Sequence, residues 1–212
     1  MSEFTSGHLL LAGHKEAIRK NAVPRSLIKV LDEKWIAYLT RNDSYLEYQE
    51  APDYIYQLSY DAPVLNFCNL SDHFWGYRIF NGGQEVAYLR ISYEFLEEII
   101  IEIFKERYPE KEILELYGDM HEEISKEVIE NGIFDEAIEH LFDESNVSAF
   151  KLFDISEKQI DKLKSILNPS YFREHKKIYQ LVEEFKEIIG INEMSWIRHE
   201  RVEEDEGYEE IF

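Results

Sequence analysis

The chain has 212 residues, 44% of them apolar and 14% aromatic, and a formal charge of −21. That apolar and aromatic content excludes a disordered chain, and a chain this long buries on the order of 70% of the surface it exposes when unfolded. The charge is lopsided. Residues 1–92 hold 9 Lys and Arg against 11 Asp and Glu, a net −2; residues 93–212 hold 14 against 33, a net −19. The acidic half disfavours direct nucleic-acid binding, whose affinity comes largely from cations that displace counterions. It disfavours attachment to an anionic membrane for the same reason.

Cys68 is the one cysteine, which excludes an intramolecular disulfide and leaves a cysteine-based zinc site without ligands. The N-terminal apolar run, Leu9 to Ala12, is too short for a secretory signal. No stretch approaches the ~20 apolar residues of a membrane span. A cytoplasmic protein is the expectation, and nothing in the sequence calls for a cofactor.

In chain order, Phe4–Ala12 predicts a strand and His14–Ala22 a short helix stopped by Pro24. Ser26–Leu31 and Lys34–Thr40 predict a hairpin across Asp32-Glu33, with Ile28, Val30, Trp35 and Tyr38 suited to a pleated, half-buried surface. Residues 41–53 predict a polar loop and 54–60 a short helix. Pro63–Ser92 is the most β-committed stretch and predicts three antiparallel strands, two of them joined at Asn81-Gly82-Gly83. Pro24, Asp32, Trp35 and Tyr38 align with Pro63, Asp72, Trp75 and Tyr77. This alignment reads as two β-α-β-β-like halves related by a pseudo-twofold, with a groove or an extended sheet between them.

From Tyr93 the apolar period changes from two to about three and a half. Leu96, Ile99, Ile100, Ile103 and Phe104 form a stripe opposite Glu94, Glu98, Glu102 and Glu106, with Ser92 as the expected N-cap. Further helices are predicted over 110–117, 119–131 and 134–142. Residues 147–153 read equally as a strand or a connector. Ser156 to Gln159 has capping-box spacing before a helix to Leu167. A single long helix is predicted from Tyr171 to Ile189, and 194–202 as a last strand or short helix. The expected fold is α+β: an N-terminal antiparallel sheet, residues 1–92, followed by a mostly helical acidic region, 93–202, that shares its core. An acidic tail, 203–212, is expected to fray.

Glycine-rich phosphate loops, dinucleotide fingerprints and nucleophile elbows are absent from the sequence. Asp119, His121, Glu122 and Glu123 resemble metal ligands in type, but Asp119 after Gly118 reads as a helix cap and Glu122 as a first-turn carboxylate. His199-Glu200 begins a zinc-helix pattern that Glu203 fails to complete with a second histidine. Two sets of site residues remain. Trp35, Trp75 and Tyr77, with Asp72 and His73 as polar groups, would line a ligand groove in the sheet. Glu98, Glu102, Glu139, Asp143 and Glu144 lie on or near helix ends and faces where negative charge would suit a basic partner. Five tyrosines, Tyr45, Tyr48, Tyr54, Tyr56 and Tyr60, fit either an interface or a lid over the sheet. The leading expectation is a non-enzymatic interaction protein that binds a basic protein through its acidic half, in composition like small bacterial immunity proteins and inhibitors that mimic nucleic acid. A ligand or enzymatic site on the sheet is the alternative.

Overall fold

The computed structural model describes residues 4–41, 43, 50–71, 73–174, 178–204 and 207–211. Strands β1 (Phe4–Leu11), β2 (Ser26–Val30), β3 (Trp35–Leu39), β4 (Val64–Leu70), β5 (Phe74–Asn81), β6 (Gln84–Ser92) and β7 (Glu209–Ile211) form one sheet in the order β6-β5-β4-β1-β3-β2-β7. Every neighbouring pair is antiparallel. The fold is α+β as expected. The β5–β6 turn depends on its two glycines: Gly82 and Gly83 both take positive φ, 61° and 77°, a conformation that costs glycine little. Helix α2 (Asp53–Asp61) pins this turn, with Ser59 C=O and Oγ accepting from the Gly82 and Gly83 N–H groups at 2.8 and 2.9 Å.

Side-chain alternation gives the sheet two apolar faces. Leu9, Trp35, Leu39, Leu65, Phe67, Trp75, Tyr77 and Leu89 share one face. It is covered by a 3-10 run (Val147–Phe153) and by helices α6 (Glu157–Ile166) and α8 (Ile178–Ile189), through Phe150, Phe153, Leu163, Val182 and Phe185. On the opposite face Leu10, Ile36, Tyr38, Val64 and Phe80 pack against Ile18 of α1 (Lys15–Asn21) and Ile55 and Leu58 of α2. Helices α3 (Phe95–Arg107) and α4 (Asp119–Glu130), with Leu116 between them, build a satellite core from Ile100, Phe104, Ile124 and Val128, on which α5 (Ile133–His140) packs Ile133 and Phe134. The short α7 (Pro169–Glu174) precedes α8.

The aligned halves do share a helix–strand–turn–strand order, and Trp35 and Trp75 lie on the same sheet face. No twofold relates them. A rotation about the sheet normal would reverse lateral direction, yet β2 to β3 and β4 to β5 step the same way across the sheet. Tyr38 and Tyr77 also face opposite ways, because one lies three residues past its tryptophan and the other two.

Several boundaries differ from the sequence reading. Glu94, not Ser92, holds the N-cap position of α3, though the Ser92 hydroxyl accepts the Glu94 N–H at 3.1 Å. Asp119 is the first residue of α4, and Gly118 precedes it at the cap with φ 116°. Within the expected 171–189 helix the chain is helical on both sides of 175–177, which lie outside the described residues. The Ser156–Gln159 capping box is present. The terminal acids form β7 over residues 209–211 instead of fraying, held by Lys15 at 2.6 Å and Arg19 at 2.7 Å from Glu209. That strand covers the β2 edge. The β6 edge is met by Glu144 C=O, which accepts the Tyr88 N–H at 2.8 Å, and by Asn146 Nδ2, which donates to Val86 C=O at 2.7 Å. The β2 ladder is therefore paired, and the β6 ladder, a liability for edge-to-edge pairing, is engaged at Tyr88 and Val86.

Phe185 is the centre of the main core. Its ring lies 5.4 Å from Tyr77, 5.3 Å from Trp75, 5.9 Å from Phe67 and 5.6 Å from Phe150. Phe185→Ala is expected to cost about 3–5 kcal/mol, read by urea denaturation. A loss below ~1 kcal/mol would contradict this packing.

Candidate functional site

Helix α3 is amphipathic in the expected sense. Ile100 and Phe104 are buried in the satellite core, while Glu98, Glu102 and Glu106 stand one turn apart along a different face. This face looks onto β6 and the segment just past α5, and a groove of about 900 Å3 runs between them. Tyr88, Phe95, Ile99 and Leu141 supply its apolar surface. Glu98, Glu102 and Glu106 line it from α3, and Asp143 and Glu144 line it from the α5 side. Four of the five acids expected to meet a partner thus converge on one concavity from segments about 40 residues apart. The fifth, Glu139, does not line it; Arg173 of α7 holds it at 2.6 Å, together with Asp135 at 3.3 Å.

The acids differ in how far they are already satisfied. Arg90 grips Glu98 with both guanidinium nitrogens, at 2.8 and 2.9 Å, and lies 4.7 Å over the Phe74 ring. Burial pushes the Glu98 carboxyl up, but the Arg90 fork outweighs it and holds the group below the usual range. Asp143 accepts from His140 at 2.8 Å and draws its imidazole pKa upward. Glu102, Glu106 and Glu144 are exposed and enter no ion pair among the described residues. With Lys105 the one lysine or arginine besides Arg90 among the described lining residues, the groove is net negative, and Tyr88, Phe95, Ile99 and Leu141 give it apolar surface.

The aromatic set lies elsewhere. Trp35, Trp75 and Tyr77 are fully buried beneath α8 and the 3-10 run. Trp35 Nε1 donates to Ile189 C=O at 3.2 Å, and the Tyr77 hydroxyl donates to Ser145 C=O at 2.7 Å. The space where a ligand groove was expected is filled by Phe150, Phe153 and Phe185. His73 is an exposed turn residue whose C=O accepts from Tyr93 N–H, so it does not join the aromatics, and Asp72 lies outside the described residues. Tyr54 and Tyr56 cover the sheet face beside α2, as a lid would, whereas Tyr60 is exposed. Tyr45 and Tyr48 lie outside the described residues. Among the described residues, no three His, Cys, Asp or Glu side chains are grouped to hold a metal ion, and no helix is long and apolar enough to cross a membrane.

Sequence reasoning missed one polar cluster. Asp43, assigned to a polar loop, is buried against β1 and β3. Its carboxylate accepts from Thr40 N–H at 2.8 and 2.9 Å and from Thr40 Oγ1, and lies 3.3 Å from His8 Nδ1. His8 Nδ1 also lies 3.1 Å from Tyr38 C=O, and Tyr54 Oη lies 2.7 Å from Thr40 Oγ1. The one available signal was an aspartate three residues after a strand-terminal threonine, the spacing of a side-chain-closed turn. Burial pushes the Asp43 carboxyl well above its ordinary pKa, and burial lowers His8 to about 4 despite the Tyr38 hydrogen bond.

The two groups act on stability in opposite senses. His8 protonates later in the folded than in the unfolded chain, so its contribution is full above pH ~6.5 and is lost as pH falls toward 4. Asp43 takes up its proton earlier when folded, so its protonation offsets part of that loss. Asp43→Asn, with His8 intact, should therefore lose stability more steeply than the parent between pH 6.5 and 4, measured by urea denaturation. An NMR titration placing His8 at an ordinary value would contradict this.

No family model, no curated protein and no solved structure matches this chain.

Proposed function

We propose that the protein is a non-enzymatic interaction protein that binds a basic protein partner through the groove between α3, β6 and the end of α5. The observation that carries this reading is the convergence of Glu98, Glu102, Asp143 and Glu144, with Glu106, on one open concavity that also carries apolar surface. Glu102, Glu106 and Glu144, which enter no ion pair among the described residues, outnumber Lys105 on the lining and would steer the approach of a Lys or Arg. The apolar surface adds the contact area that charge alone does not supply. Burial of Trp35, Trp75 and Tyr77 weighs against the alternative, a ligand site on the sheet. An interaction protein of this kind is compatible with a cytoplasmic setting.

Immobilised protein exposed to a lysate of its source cells should retain a basic protein that elutes as salt rises toward ~0.5 M, where screening shortens to a few Å. The double variant Glu102→Lys/Glu144→Lys should lose that capture while keeping its circular-dichroism melting curve. Equal capture by parent and variant, or capture indifferent to salt, would contradict the reading.

A further inference from the structure

We infer that the groove's occupant is a cationic amphipathic helix, an inference that rests on the basic-partner reading above and adds the partner's form. Three observations point to it. The first is charge placement. Acids stand on both bounding segments, Glu102 and Glu106 on α3 and Asp143 and Glu144 past α5, and the same segments carry the apolar Phe95, Ile99 and Leu141; Lys105 and the Glu98-paired Arg90 are the lysine and arginine on the lining. This arrangement complements a helix that carries an apolar stripe flanked by Lys and Arg, the helix-in-groove mode of recognition.

The second is size. A helix 10 Å across fills roughly 420 Å3 per 5.4 Å turn, so about 900 Å3 holds about two turns wholly, or about four turns laid half in. The row from Glu98 to Glu106 spans about 12 Å at 1.5 Å per residue, again about two turns. The third concerns the sheet edge. An added strand needs the outward N–H and C=O groups of β6, but Tyr88 N–H is bonded to Glu144 and Val86 C=O to Asn146. Strand addition at those positions would first have to break both bonds, whereas a helix uses side chains alone and leaves them in place.

The test uses fluorescence anisotropy with a synthetic peptide of about 16 residues, with leucines on one helical face and lysines flanking them. A second peptide has the same composition in scrambled order. The expected result is salt-sensitive binding of the patterned peptide, about tenfold weaker for the scrambled one. Binding should also be about tenfold weaker to Glu102→Lys/Glu106→Lys than to Glu187→Lys/Glu193→Lys, which carries the same net charge with the changes at exposed positions away from the groove. Leu141→Ser, checked for an unchanged melting curve, should weaken the patterned peptide and leave any scrambled-peptide binding as it was. Equal binding of the two peptides, still dependent on Glu102 and Glu106, would overturn the helical occupant and leave the basic-partner reading standing. Equal binding to the groove variant and the distant variant would overturn both. Binding indifferent to Leu141→Ser would also overturn the helical occupant.

Discussion

The packing of Phe185 against Phe67, Trp75 and Tyr77 is the constraint on which the rest of the molecule depends. It joins α8 to the middle of the sheet across more than 100 residues of sequence, and with Phe150 and Phe153 it closes that face entirely. Helices α1 and α2 cover part of the other, and the rest of that face, at β6, opens through Tyr88 and Arg90 onto the groove. Surfaces available for recognition therefore lie on the covering helices and at the sheet's ends, and one such concavity is lined by α3, β6 and the segment after α5.

Charge follows the same division. Many acids of the helical half are held by local cations, as in Arg107 with Glu127 and Arg173 with Asp135 and Glu139. Such exposed pairs add little to stability, typically ~0–1 kcal/mol, but they do consume charge that a partner would otherwise meet. At the groove the balance differs: Arg90 neutralises Glu98, while Glu102, Glu106 and Glu144 enter no ion pair among the described residues and outnumber Lys105. The net −19 of residues 93–212 is thus uneven at the surface, and a location for docking follows from where it is left unpaired.

Local signals were legible in the sequence. Alternating β-branched and aromatic residues marked β2 to β6, Gly82-Gly83 marked their hairpin, the Ser156–Gln159 spacing marked a capping box, and the three-and-a-half period marked α3. The acids Glu98, Glu102, Asp143 and Glu144 were legible as a set; that they face one another was not, because their meeting depends on how α3 and α5 each pack on α4, through Phe104, Ile124 and Val128 and through Ile133 and Phe134. Trp35, Trp75 and Tyr77 illustrate the converse. The period-two placement of Trp75 and Tyr77 on one face was readable, but whether that face would be open or covered depended on α8, whose apolar stripe is equally consistent with many partners. Asp43 and β7 were hidden for a related reason: a polar residue becomes buried, and a charged tail becomes a strand, only when distant groups such as His8, Lys15 and Arg19 arrive to satisfy them.

The most direct measurement is carbodiimide labelling of carboxylates, read by mass spectrometry, on the protein alone and bound to its basic partner. Glu102, Glu106 and Glu144 should lose reactivity on binding while Glu187 and Glu193 keep theirs. Uniform loss across all five, or loss confined to Glu187 and Glu193, would contradict a partner seated between α3 and the end of α5.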